Sequence, residues 1–280
     1  MSRHYVTVLS IAGSDSGGGA GIQADIKTIS ALGGYAATVV TAVTAQNTMG
    51  VRAISVVPAD VVEAQVDAVM TDLMPRCVKI GMVGNRETLL RIASRLAAFP
   101  AVPVVVDPVM VATSGSRLTD DEAVDALVGH LIPKAALLTP NIPEAERIAG
   151  YALDTPERRD AAARDMLDMG CGAVLIKGGH CPADNVVEDW LYWLDDEGTM
   201  RWRLFSHPWL HTRNTHGTGC TLSSAIATHV AMGLPMADAV EAGIGFLCQA
   251  LERGADVSIG EGHGPVNHLF DPVSMRIISN

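Results

Sequence analysis

Aromatic residues make up only 4 % of this 280-residue chain, although hydrophobic residues of all kinds reach 48 %. Such a core has to be built from Val, Ile, Leu, Ala and Met, which suits parallel strands covered by helices on both faces. Positive charge is scarce as well: 20 Lys and Arg stand against 31 Asp and Glu, a formal net charge of -11. No basic cluster interrupts that balance, so the footprint of a nucleic-acid binder is missing. The five cysteines, Cys77, Cys171, Cys181, Cys220 and Cys248, show neither CxxC spacing nor a zinc pattern, which predicts reduced thiols and a cytoplasmic protein. The first residues run straight into a strand-like stretch, without the succession of regions that marks a secretory signal, and export is not expected. The most apolar late stretch, Thr221 to Leu251, is broken by His229, Pro235, Asp238 and Glu241, which are costly in lipid, so no membrane span is expected either.

What is present is a regular alternation. Short β-rich runs occur at Tyr5 to Ile11, Thr38 to Ala45, Cys77 to Ile80, Val102 to Val106, Ala136 to Thr139 and Ala173 to Ile176, separated by helical segments. In the first helix Ile22, Ile26, Ile29 and Leu32 form an apolar stripe, with Asp25 off it. Asp60 with Glu63 and Thr119 with Glu122 stand at capping-box spacing, and Thr155 precedes Pro156 at a first-turn position. Gly170 and Gly172 end the helix that begins near Pro156, while Gly233 and Pro235 separate two final helices. Trp190 to Leu194 and Met200 to Phe205 read as a hairpin on a sheet edge. No linker or repeat intervenes, so residues 1–280 are expected to form one α/β domain around a mainly parallel sheet. Ligands are then expected beyond the carboxyl ends of the strands.

The strongest chemical signal is Asn214-Thr215-His216-Gly217-Thr218-Gly219-Cys220, directly followed by a helix with Leu222, Ile226 and Val230 on one face. Gly217 and Gly219 admit close backbone approach, and the first helical N–H groups are suited to an anion that gains charge during reaction. An ordinary glycine-containing helix start accounts for the same residues. Cys220 at that start is expected to have a lowered thiol pKa if accessible; otherwise it is a small buried hydrophobe. Thr139-Pro140-Asn141-Ile142-Pro143-Glu144 follows a strand, and an amide oxygen with a carboxylate suits hydrated magnesium. Asn141 as an N-cap closed by Glu144 is an equally natural and compatible reading. Lys177 ends another strand before Gly178 and Gly179, where it is placed to steady phosphate oxygens. Near the start, Ala12 to Gly21 forms a glycine-rich turn that lacks the acidic partner of a dinucleotide fingerprint, and no GxxxxGK[ST] occurs. Asp25 and Gln46 have plain structural readings, but together they complement the amino group and ring nitrogen of an aminopyrimidine. The histidines lack metal-site companions.

Taken together these motifs resemble the ribokinase-like superfamily, most closely its hydroxymethylpyrimidine and phosphomethylpyrimidine kinase branch. The resemblance runs nearly end to end through Ile11-Ala12-Gly13-Ser14-Asp15, Gly19 to Asp25, Ala45-Gln46-Asn47-Thr48, Lys79-Ile80-Gly81-Met82, Asp107-Pro108-Val109-Met110, Thr139-Pro140-Asn141, Lys177-Gly178-Gly179-His180 and the Cys220 loop. It implies a three-layer α/β/α sandwich, ATP and Mg2+ as cofactors, and a homodimer as the family's usual assembly. It further implies that Asp25 and Gln46 bind the pyrimidine, with Gly13, Met82 and Val109 lining the pocket. Lys177 and Asn141 would meet ATP, Asp107 would lie near phosphates and metal, and Asn141 with Glu144 would help hold magnesium. Gly217, Thr218, Gly219 and Cys220 would form the anion hole. The wider superfamily usually carries Asp as base where this chain has Cys220, and Ser116 departs from the acidic residue expected in a Thr113 to Leu118 flap. The implied activity is phosphorylation of 4-amino-5-hydroxymethyl-2-methylpyrimidine and of its monophosphate. A pyridoxal or pyridoxine kinase, a Cys220-dependent transferase and a ligand-binding regulator are the alternatives.

Overall fold

The computed structural model describes residues 3–111, 120–179 and 185–279. The chain opens with β1 (Arg3–Tyr5), β2 (Thr7–Asp15), α1 (Gly21–Ala31), β3 (Tyr35–Asn47) and β4 (Gly50–Val56). It continues through α2 (Ala59–Asp72), β5 (Cys77–Ile80), α3 (Arg86–Leu96), β6 (Val104–Val106), α4 (Asp121–Ala126), β7 (Leu137–Leu138) and α5 (Ile142–Ala149). The last part holds α6 (Pro156–Asp168), β8 (Ala173–Ile176), β9 (Val186–Leu194), β10 (Met200–Pro208), α7 (Thr218–Ala231), α8 (Met236–Glu252) and β11 (Ile277–Ser279). A nine-stranded sheet has the order β10-β9-β8-β7-β6-β5-β2-β3-β4, and β1 pairs with β11 outside it. The strands from β3 to β8 in that order run parallel, whereas β4, β9 and β10 join antiparallel at the two edges.

Side chains alternate across a strand, and here the alternation sorts residues into two cores. Leu9, Ile11, Val78, Ile80, Val104, Val106, Leu138, Val174 and Ile176 pack beneath α2 to α6. Val8, Cys77, Val105, Leu137, Ala173 and Leu175 pack against Ile29 of α1 and against Leu222, Ile226, Val240 and Ile244 of α7 and α8. This is the expected three-layer ribokinase-like sandwich. The same parity puts two polar strand residues, Ser10 and Lys79, on the α1 and α7 side.

β5 and β8 occupy the expected ranges, and the hairpin of β9 and β10 closes one edge. Thr155 caps α6 by accepting from Arg158 N–H, with Pro156 in the first turn. Other elements differ from expectation. β6 starts at Val104 rather than Val102, because Pro103 has no N–H for the ladder and only its carbonyl accepts, from Val78. β7 shrinks to Leu137–Leu138. Strand β4 was not anticipated; its residues are partly or fully exposed throughout, so it carries no buried periodicity. Asp60 and Glu63 form no capping box, since Pro58 is the N-cap and α2 starts two residues earlier than an Asp60 cap requires. The buried face of α1 is also turned from the expected stripe: Ile26 is exposed, while Asp25 and Thr28 join Ile22 and Ile29 inside. Thr119, Cys181, His180, Ser116 and the segment 113–118 lie outside the described residues; the cap of α4 is Asp120.

Candidate active site

Six strand ends feed one cleft of about 930 Å3. Gly13 and Asp15 come from the end of β2, Gln46 from the end of β3, and Met82 from just beyond β5. Asp107 and Val109 follow β6, Asn141 follows β7 and Lys177 follows β8. A parallel sheet sends all these carboxyl ends to the same side, where the order of connections reverses at β2 and leaves a crevice. The first residues of α7 close the cleft from above.

Gly217 caps α7 with φ +84, a conformation that favours glycine, and its α-carbon lies against the Gly19 carbonyl, where a side chain has no room. Thr221 N–H is the first to bond back along the helix, to Gly217 O at 2.8 Å. The preceding Gly219 and Cys220 N–H groups belong to the turn that an α-helix leaves without intrahelical partners. A β-carbon on Gly219 would lie 3.4 Å from Asp107 Oδ2 and 3.6 Å from Lys177 Nζ. The helix start, one carboxylate and one ammonium thus converge on a single point.

Lys177 Nζ donates to Asp107 Oδ1 at 3.0 Å, and Asp107 is 2 % exposed. Thr139 and Ser223 hydroxyls each lie 3.3 Å from the same carboxylate. Burial works against the Asp107 charge, but Lys177 and Lys79 outweigh it and hold the carboxyl below its usual range. Lys177 is raised, because Asp107 and Glu144 outweigh its own desolvation. Asn141 caps α5 by accepting from Glu144 N–H, and the Glu144 carboxylate accepts from Asn141 N–H, both at 2.9 Å. The expected capping box is therefore present. Burial, with Asp107 adding to it against the pull of Lys177, pushes the Glu144 carboxyl up to about 7.

Two expectations are corrected. Asp25 does not line the cleft. It is fully buried, takes two contacts of 2.9 Å from Lys79 Nζ, and accepts from the hydroxyls of Ser10 and Ser224 at 2.5 and 2.6 Å. Its oxygens are spent on the interior of the α1–α7 layer, and nothing is left for a pyrimidine. The Cys220 thiol is not lowered: burial, with Asp25 and Asp107 adding, pushes it up to about 11 although Lys79 pulls the other way. Desolvation of the thiolate wins over the favourable helix end.

All the other expected residues, Gly13, Gln46, Met82, Val109, Asp107, Asn141, Glu144, Lys177, Gly217, Thr218, Gly219 and Cys220, line this one cleft. Met82 packs close to Gly13, where a β-carbon would stand 3.2 Å from Sδ. Sequence reasoning missed Lys79 as the partner of Asp25, the contact of His216 Nε2 with Asp15 Oδ2 at 2.9 Å, and the pairing of His207 with Asp189 at 3.2 Å. A Lys inside the apolar run Cys77–Ile80 was the available signal for the first. His216 lies 201 residues from Asp15 and carried none, whereas His207 and Asp189 sit on the paired strands of the β9–β10 hairpin.

A mainly parallel sheet whose strand ends meet a glycine-rich helix start, with a lysine and carboxylates around it, defines a ribokinase-like phosphotransferase for small molecules. The sequence profile described as phosphomethylpyrimidine kinase matches residues 15–267. The hydroxymethylpyrimidine/phosphomethylpyrimidine kinase of Rhizobium meliloti (strain 1021) is 49 % identical over 262 residues, covering 93 % of this chain and 96 % of that protein. The crystal structure of phosphomethylpyrimidine kinase from Clostridium difficile 630 superposes with TM-score 0.77 at 39 % identity, covering 88 % of this chain and 99 % of that one. A pyridoxal kinase from Staphylococcus aureus in complex with AMP-PCP and pyridoxal gives TM-score 0.83 at 30 % identity, with 98 % of both chains covered. This chain belongs to the phosphomethylpyrimidine kinase family.

Proposed function

We propose that the protein transfers the γ-phosphoryl group of ATP to the hydroxymethyl oxygen of 4-amino-5-hydroxymethyl-2-methylpyrimidine, and then phosphorylates that monophosphate to the diphosphate. The observation that carries this reading is the meeting of Gly219 with Asp107 and Lys177 at one point, in a cleft that Gly13, Gln46, Met82 and Val109 also line. The identity with kinases of that name supports it. In the transfer the acceptor oxygen forms a bond to γ-phosphorus as the bond to the β–γ bridging oxygen breaks, releasing ADP, and the hydroxyl proton is lost to solvent. Charge spreads over the phosphoryl oxygens in such a loose transition state, so positioning and electrostatics dominate. The N–H groups of Gly219 and Cys220 and the Lys177 ammonium would receive that charge. A thiol pushed up to about 11 is protonated at neutral pH, which supports a place for Cys220 in the anion hole rather than general-base work.

Magnesium fits the donor set. Among the described residues no cluster of three or more His, Cys, Asp or Glu is arranged for a metal, whereas Mg2+ on nucleotides typically takes one or two carboxylates and the phosphates themselves. Asp107 and Glu144 supply those carboxylates, and the unfavourable charge on Glu144 beside Asp107 is what a divalent cation would relieve. Bound there, the ion would neutralise phosphate charge; Asn141 would serve nearby through its side-chain oxygen.

The test is product analysis by mass spectrometry of purified protein with ATP and Mg2+, offered the free pyrimidine, its monophosphate or pyridoxal in separate reactions. Conversion of both pyrimidines is expected. Conversion of pyridoxal alone would transfer the assignment to the pyridoxal kinases, whose fold this chain shares.

A further inference from the structure

One wall of the cleft contains a chain of hydrogen bonds that decides which way a side-chain amide points. Asp15 accepts Gly17 N–H through Oδ1 at 2.8 Å, and Gly19 and Ala20 N–H through Oδ2 at 3.0 and 2.9 Å. Burial opposes its charge, but the hydrogen bonds from His216, Ala20 and Gly17 hold the carboxyl below its ordinary range. It is therefore an acceptor only. His216 Nε2, on the loop that opens α7, lies 2.9 Å from the same Oδ2, so that nitrogen carries a proton. It also lies 3.3 Å from one end of the Gln46 amide. The other end of the amide lies 3.2 Å from Thr44 Oγ1. That hydroxyl has a single proton, and the Ser14 carbonyl, at 2.9 Å, is the nearer acceptor for it.

Both ends ask for the same orientation. With Nε2 towards His216 the contact would set N–H against N–H, and with Oε1 towards Thr44 it would set lone pairs against lone pairs. The oxygen and nitrogen of an amide are alike in shape, so the network decides between them. Oε1 belongs at His216, where it takes the longer branch, 3.3 Å, of an Nε2 proton directed mainly to Asp15 at 2.9 Å, and Nε2 belongs at Thr44. Each atom keeps one further valence, a lone pair and an N–H, and both Gln46 and Thr44 line the cleft.

We infer that the Asp15–His216 pair determines acceptor specificity by locking the Gln46 amide, so that the pocket offers a hydrogen-bond acceptor on its His216 side and a donor on its Thr44 side. The inference rests on placing the pyrimidine against Gln46, as above. It fixes the sense in which the ring lies: the exocyclic amino group towards His216 and the adjacent ring nitrogen towards Thr44. A ring with oxo and N–H in those places meets a mismatch at both, the situation in which a hydrogen-bonding site rejects an analogue most strongly. His216 is a positioning residue, acting through Gln46 on the substrate.

The test is a double-mutant cycle in the intact enzyme, comparing parent, Gln46→Ala, His216→Phe and the double variant by steady-state kinetics. His216→Phe is expected to raise the KM for the aminopyrimidine about tenfold, equivalent to ~1.4 kcal/mol, and to leave the KM for ATP unchanged. In the Gln46→Ala background the same change should add nothing, because the locked group is gone. Additive effects, or a loss confined to kcat, overturn the inference. Thr44→Val, which keeps the β-branched shape and removes the acceptor at the opposite end of the amide, should couple to Gln46→Ala in the same way. It carries the test if the Phe variant does not fold, and additivity there is equally fatal. A parent enzyme that phosphorylates no aminopyrimidine overturns both this inference and the functional assignment, whereas turnover with an additive cycle overturns this inference alone.

Discussion

Replacing Lys79 with Met should destabilise the protein far more than its methylene content suggests. Lys79 and Asp25 are both fully buried, and their ion pair of 2.9 Å joins β5 to α1. Burial alone would lower the lysine, but the attraction of Asp25, then of Cys220 and Asp107, raises it instead. Lys79→Met leaves the Asp25 carboxylate with only the Ser10 and Ser224 hydroxyls for partners. Breaking a buried pair from one side costs about 3–5 kcal/mol. At about 2–4 °C per kcal/mol for a chain approaching this size, the melting temperature should fall by roughly 6–20 °C. Lys79→Met with Asp25→Asn removes both charges and keeps an acceptor for the serines, so the double variant should recover more than half of the loss. Circular dichroism at 222 nm during heating, repeated as urea titrations at fixed temperature, measures both. A Lys79→Met variant melting within about 2 °C of the parent, the range of an ordinary surface change, would refute the reasoning. So would a double variant that melts below the single one.

Two further outcomes follow from the cleft. Since the Cys220 thiol is pushed up to about 11, its carboxamidomethylation, followed by peptide mass spectrometry, should rise about tenfold per pH unit through pH 9 to 10; a plateau by pH 8 would show that the helix end prevails over burial. Gly219→Ala meets Asp107 and Lys177 only at ordinary contact distance and should fold normally. It fills the place proposed above for the phosphoryl oxygens, however, and should lower kcat by about 10² in an ADP-release assay; an unchanged kcat would move the transfer point elsewhere.

The sheet was readable because its inner strands announce themselves. Cys77–Ile80 and Ala173–Ile176 are fully buried runs, and the structure returns them with the same ends. Gly217 was readable because a glycine before a long apolar helix has a local meaning, and φ +84 bears it out. Strand β4 was not, since it is largely exposed and held by pairing with β3 rather than by burial. Asp25 was misjudged because an early-turn carboxylate and a carboxylate inside a layer look alike along one helix. What separates them is Lys79, 54 residues later and turned to the same side by strand parity. His216 meets Asp15 across 201 residues, a contact that no spacing rule reaches.

The crowding of Gly217 against the Gly19 carbonyl has an implication for how this enzyme would be retuned. The turn that would grip the migrating group and the turn that would bound the acceptor touch through bare main chain, so neither can retreat without displacing the other. Room for a bulkier vitamin precursor must then come from trimming the side chains of Met82 and Val109, and selection for a new acceptor in the laboratory should find its first gains there.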